Sequence, residues 1–332
     1  MTDVPKATLY TFDGSVWASA PRLALVEKGY ADTDVDFKIV DLVKAENFDA
    51  SYLRLNSKGT VPTLVVPLLE TTSAEVDTKF RALTDTVAIL EFLDKSRSKN
   101  TLESKGQTSE APAPVLAPAT IEGKATSDEI IKLVHAENVD PNFLLLGARS
   151  KEEFTKGKAQ LPGTFVSNRY NALISHQKAL DSSSTIAFDG SANPKSSALQ
   201  DNLKKWYADK LESQKLLTQA YVNGDQASID QLILLTNATW KNISDLLTTL
   251  ETKFVGPFAL GDQISLADLH VIPWLARILA VSQGLAPDAD PLASLDSIIA
   301  AHGAKLGPKI REFWQAFSTR PSFEKVYGSG LH

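Results

Sequence analysis

The sequence predicts a two-part protein: an α/β domain over residues 1–95, then a larger domain made almost entirely of helices over 127–332. Three observations predict it. The first 95 residues alternate strand-like and helix-like segments. Residues 96–126 turn to Ser, Lys, Pro, Ala, Thr and Gly, with Pro112, Pro114 and Pro118 close together, which reads as a linker. Beyond it, stretches of helical periodicity are divided by Gly and Pro breakers.

Taken in order, residues 7–12 (Ala-Thr-Leu-Tyr-Thr-Phe) are rich in β-formers and predict a strand, which Asp13 and Gly14 break. Pro21 suits the first turn of a helix, which runs on from Arg22 to a stop at Gly29. Residues 35–42 alternate apolar and charged at first and predict a half-buried strand, and 44–55 a loop with a weak helix. Thr63–Leu69 and Lys79–Leu83 predict a hairpin across a polar connection. Asp85–Thr86 caps a helix over 86–95. Strand–helix–strand, then hairpin and helix, is the thioredoxin-like plan. Further helices are expected over 127–136, 150–157, 166–180, 196–221, 225–252, 265–282, 292–301 and 308–317.

Composition narrows the chemistry. No run of 18 apolar residues occurs, and Met1–Lys6 is short and polar. Neither a membrane span nor a leader is expected, and the location expected is cytoplasmic. The net charge of −6 sits in residues 1–94, with 15 acidic and 9 basic side chains; the remainder holds 25 of each. That balance argues against nucleic acid as a partner. The five histidines are far apart without ligand spacing, so no metal site is expected. There is no cysteine. A reactive thiol, if there is one, has to come from a ligand.

Four motifs then stand out. Ser15-Val-Trp-Ala-Ser-Ala-Pro-Arg22 leads into Leu-Ala-Leu-Val-Glu-Lys-Gly29. Leu55-Asn-Ser-Lys-Gly-Thr-Val-Pro-Thr-Leu64 follows, then Leu83-Thr-Asp-Thr-Val-Ala-Ile89, and finally Ala259-Leu-Gly-Asp-Gln-Ile-Ser-Leu-Ala-Asp268. In this order they resemble the cytosolic glutathione transferases: the first helix, Asn-Pro-x-Gly-x-Val-Pro-x-Leu with Ser57 in place of Pro, Glu-Ser-x-Ala-Ile with Asp85 and Thr86 as conservative changes, and the buried capping-box helix of the second domain. Residues 7–94 and 226–282 carry the likeness, and 95–225 match poorly. The phrase Asp268-Leu-His-Val-Ile-Pro-Trp-Leu-Ala-Arg277 leans toward fungal and β-etherase-like members with an enlarged helical domain.

The resemblance implies glutathione as co-substrate. It implies a cis Pro62 that presents the Val61 backbone to the ligand peptide. It also implies that Asp85 and Thr86, at a helix N-terminus, hold the γ-glutamyl end. Lys58 is a candidate for the glycyl carboxylate, or a solvated loop lysine. Ser15 stands where the family keeps its catalytic Ser or Cys, and Ser19 is the runner-up. A hydroxyl at a helix N-terminus would stabilise a thiolate whose free pKa is near ~8.5. Phe12, Trp17 and Trp274 are candidates for walling an apolar second-substrate pocket, though each also suits a core face. Ser265–Asp268 reads as a structural capping box. The expected activity is transfer of glutathione to an apolar electrophile, such as an ether, halide, epoxide or peroxide, by a homodimer. The alternatives are a non-catalytic carrier of glutathione or hydrophobic ligands (a ligandin) and an interaction protein of the same fold.

Overall fold

The computed structural model describes residues 6–67, 80–97, 114–184, 194–283 and 290–332. The expected strand ends at 68–69 and 79, and residues 98–113 of the expected 96–126 linker, lie outside the described residues; at the far end of that linker, residues 121–126 are already helical, capped by Thr120.

Four strands form one sheet in the order β2-β1-β3-β4: β1 (Ala7–Thr11), β2 (Val35–Ile39), β3 (Thr63–Pro67) and β4 (Phe80–Leu83). β1 pairs parallel to β2, Leu9 facing Phe37, and antiparallel to β3, Leu9 facing Leu64. β3 and β4 are antiparallel. A parallel pair needs a crossover, and α1 (Val16–Glu27) supplies it. α3 (Thr86–Ser96) packs against α1. A four-residue helix, α2 (Ala50–Leu53), precedes the Val61–Pro62 turn. This is the thioredoxin-like arrangement, and a large helical part follows it.

The start of α1 differs from the sequence expectation. The helix opens at Val16, not at Pro21, with Ser15 in extended conformation as its cap. Its buried face begins at once, with Val16, Ala18, Ser19 and Ala20, so packing fixes the helix one turn before the proline. Pro21 therefore sits in the helix interior, where it withholds a backbone donor.

The later helices are α4 (Ile121–Val134), α5 (Pro141–Leu146), α6 (Lys151–Lys158), α7 (Leu161–Ser184), α8 (Pro194–Ser213), α9 (Lys215–Thr218), α10 (Gln226–Lys253), α11 (Leu266–Gln283), α12 (Pro291–Ala300), α13 (Pro308–Ser318) and α14 (Pro321–Tyr327). Two of them, α5 and α14, have no counterpart in the sequence reading. Pro141 and Pro194, which read as breakers in the sequence, occupy the first position of a helix, where a missing N–H costs nothing.

The chain falls into two compact units. The first holds residues 1–39, 60–145 and 238–332; the second holds 40–59 and 146–237. In the first, α11 is buried on every side and packs against α1, α4 and α12. Leu23, Ile89, Leu269, Ile272 and Phe313 belong to one apolar cluster. The start of α11 is fixed by one carboxylate. Asp268 accepts from the backbone N–H groups of Ala259 and Ser265, both at 2.7 Å, and from the Ser265 hydroxyl at 2.6 Å. In the second unit, Phe48, Leu53, Leu173 and Tyr207 form a smaller core, closed by hydrogen bonds from Tyr207 Oη to the Phe48 carbonyl and from the Trp206 indole to the Ser57 carbonyl.

Candidate functional site

Two helix N-termini of the first unit carry Ser15, Asp85 and Thr86. At the first, the chain turns after Phe12, and the Ser15 N–H donates to the Phe12 carbonyl at 3.0 Å. Ser15 Oγ accepts from the Ala18 N–H at 3.4 Å. A hydroxyl that accepts at a cap still has its proton to give, and among the described residues that proton makes no hydrogen bond. Ser15 keeps 8% of its surface. The aligned peptides of α1 add partial positive charge at the same spot. Hydroxyl donor and helix end together favour an anion there.

Ser19 lies one turn further on and is fully buried. Its hydroxyl donates to the Ser15 carbonyl at 3.1 Å and meets His332 Nε2 at 3.1 Å. It is thus an interior residue of α1, whose N-cap is Ser15.

The second N-terminus is that of α3. Asp85 is its cap, exposed, with a carboxylate oxygen accepting from the Ala88 N–H at 3.1 Å. Thr86 is the first helical residue and is buried. The first N–H groups of a helix have no partner inside it and point outward. Val61 is buried, and the Val61–Pro62 peptide bond is cis. Lys58 lies in the second unit and is exposed, its N–H donating to Asn56 Oδ1 at 3.0 Å.

The aromatic candidates separate. Trp17, on the first turn of α1, is half-buried and stacks on His135, with ring centroids 3.8 Å apart and planes 18° from parallel. Phe12 is half-buried beside the cap. Trp274 has no exposed surface, and its indole N–H donates to the Val139 carbonyl at 3.1 Å; it is part of the core.

Sequence reasoning missed the partner of Trp17. His135, just past the end of α4, meets His270 of α11 with 2.8 Å between Nε2 and Nδ1. Burial pulls His135 down to about 4 against a weaker opposing pull from Asp85, and burial holds His270 well below the usual range. Both rings are neutral at pH 7, and one proton bridges them. His135 and His270 are 135 residues apart, so no spacing rule pairs them.

These histidines set a pH dependence. Burial also lowers His332 to about 4. All three bind a proton in the unfolded chain near pH 6.5 and not in the fold, so stability is lost as pH falls through that range. Asp268 works the other way: burial pushes it up to about 6, so the fold takes up its proton first, and Asp140 is raised likewise. Three histidines outweigh these two acids. Unfolding stability is expected to drop by about 3 kcal/mol from pH 7 to pH 5. Urea melts at the two pH values check this; equal or greater stability at pH 5 contradicts it.

Among the described residues, no three His, Cys, Asp or Glu side chains are grouped as metal ligands, and no helix is long and apolar enough to cross a membrane.

Comparison with known proteins adds the following. Residues 9–101 match the family described as glutathione S-transferase, N-terminal domain. A 64-residue stretch is 45% identical to the tetrachloro-p-hydroquinone reductive dehalogenase of Sphingobium chlorophenolicum. That stretch is 19% of this chain, which thus spans about a quarter (25%) of that relative's length. Among solved structures, a bacterial zeta-class maleyl pyruvate isomerase aligns over 96% of this chain and 95% of its own, at 16% identity and a TM-score of 0.49. Gtt2 from Saccharomyces cerevisiae aligns over 96% and 99%, at 16% identity and a TM-score of 0.48. A glutathione transferase homologue from Sulfitobacter, with bound glutathione, aligns over 98% and 99%, at 17% identity and a TM-score of 0.48.

Proposed function

We propose, from the premise that this chain is a glutathione transferase superfamily member through its N-terminal domain, that it binds glutathione in the first unit and uses it as a thiolate nucleophile. The observation that carries this reading is Ser15: a capping hydroxyl at the head of α1 whose proton is uncommitted. In the reaction, the glutathione thiol gives its proton to water. The sulfur attacks an electrophilic carbon or a peroxide oxygen, and the leaving group departs with the electron pair of the broken bond. The Ser15 O–H donates to the sulfur throughout and holds it ionised. The protein contributes position and charge stabilisation rather than a covalent step.

The γ-glutamyl end is assigned to α3. Its free N–H groups and the Thr86 hydroxyl take the carboxylate, and Asp85 takes the ammonium. The Val61 N–H and C=O pair with the extended tripeptide as an added strand would. Phe12 and Trp17 form the apolar wall for the second substrate. All of these residues belong to the first unit, whereas Lys58 belongs to the second.

Asp85→Ser separates the cap from the charge. Serine caps as well as aspartate, so stability changes by less than about 0.5 kcal/mol. Glutathione affinity falls about tenfold or more, because the ammonium loses its partner. Calorimetric titration reads the affinity. Unchanged affinity removes Asp85 from the site.

The whole reading is tested by retention on immobilised glutathione, followed by turnover with a halo-aromatic or a peroxide. Retention with turnover is the expected result. Retention without turnover identifies a carrier. Absence of retention ends the proposal.

A further inference from the structure

A charged side chain of the first unit is buried beside the head of α1. Arg277 lies in the middle of α11 with 3% of its surface exposed. Its Nη2 donates to the Gly14 carbonyl at 2.7 Å, one residue before the Ser15 cap. Its Nη1 is buried and makes no hydrogen bond among the described residues. No carboxylate among the described residues lies within the 4.0 Å of an ion pair.

A buried guanidinium without an anionic partner is costly. A purely structural tie to the Gly14 carbonyl would not need it, because an uncharged amide makes the same hydrogen bond. The charge is live at neutral pH, since burial lowers Arg277 only to about 10. The surrounding groups do not neutralise it by contact. Asp140 and Tyr327 act on it only through the field, and burial raises the Asp140 carboxyl and keeps the Tyr327 phenol neutral. His332 is neutral as well. Asp13 is exposed and paired with Arg22 at 3.0 Å.

The geometry points to Arg277 as a positioning residue: a fixed positive charge behind the first turn of α1 that favours the ionised form of a sulfur held at Ser15. This rests on the function proposed above. The guanidinium is anchored to the residue next to Ser15, out of contact with solvent, so water and salt screen it weakly. It completes what the helix end begins, since α1 offers only about half a charge at its N-terminus. In return, the bound thiolate compensates the buried cation.

Substitutions at Arg277 test this. Arg277→Lys keeps the charge. Arg277→Gln keeps a donor for the Gly14 carbonyl and removes the charge; Arg277→Met is the second uncharged variant if the first does not fold. The measurement is ultraviolet titration of the thiolate on glutathione-bound protein, with the ligand-free protein subtracted. S-methylglutathione, which has no thiol to ionise, is the control. The uncharged variant is expected to raise the bound thiol's pKa by about one unit. The lysine variant leaves it near wild type, and S-methylglutathione binds all of them within about twofold. An unshifted thiol in the uncharged variant overturns the role of Arg277 while leaving the proposed function standing. So does a loss of S-methylglutathione binding that matches the loss for glutathione. Failure of the wild type to bind glutathione overturns both.

Discussion

Ser15→Ala lowers kcat/KM for glutathione transfer by about two to three orders of magnitude, the cost of removing one donor aimed at developing negative charge. Affinity for S-methylglutathione stays within about twofold, because that ligand asks nothing of the hydroxyl. The same change removes a helix cap and costs about 1 kcal/mol of stability. The helix survives it, since Val16, Ala18, Ala20 and Leu23 hold α1 against the core. Ser15→Thr restores both the cap and the donor and recovers most of the rate. Steady-state kinetics with a halo-aromatic give the answer. A loss below about tenfold in Ser15→Ala, in protein that still binds S-methylglutathione, removes the hydroxyl from the chemistry.

The largest effect on stability is expected at Asp268→Asn, about 3 to 5 kcal/mol. Three donors converge on this one fully buried carboxylate. Burial pushes the carboxyl up to about 6 while the donors pull against it, so at pH 7 it is ionised. Asparagine offers a single acceptor oxygen, and its NH2 faces an N–H or O–H that then has no partner. The loss falls on the first turn of α11, the helix against which α1 packs. Ser265→Ala removes one donor and leaves the carboxylate paired by two, so its cost is smaller, about 1 kcal/mol. Urea unfolding at pH 7 measures both. A change below about 1 kcal/mol at Asp268→Asn shows that the carboxylate does not hold the helix start.

The α/β domain was legible because its strands and helices differ in period and its breaks fall at Gly, Asp and Pro. The start of α1 was not, because Pro21 obeys a local preference that tertiary packing overrides at this site. α5 and α14 were not legible either: they are 6 and 7 residues long, too short for a 3.6-residue period to show, and each opens at a proline. The cap at Asp85 could be read from neighbours a few residues apart. The stack of Trp17 on His135, its bridge to His270 and the tie from Arg277 to Gly14 could not. Each joins residues more than a hundred positions apart, and only packing brings them together. Burial is equally silent in sequence: Trp17 and Trp274 are the same residue type at helix positions, yet one is half-buried and the other has no exposed surface.

In the proposed reaction the reactive sulfur belongs to the ligand and is ionised at the head of α1. With no cysteine in the chain, a thiolate band that appears at neutral pH on adding glutathione can come only from the ligand. This band is expected to rise with glutathione, saturate at one thiolate per chain, and disappear in Ser15→Ala while binding persists. Glutathione that binds the wild type without the band, or a band that survives intact in Ser15→Ala, would contradict it.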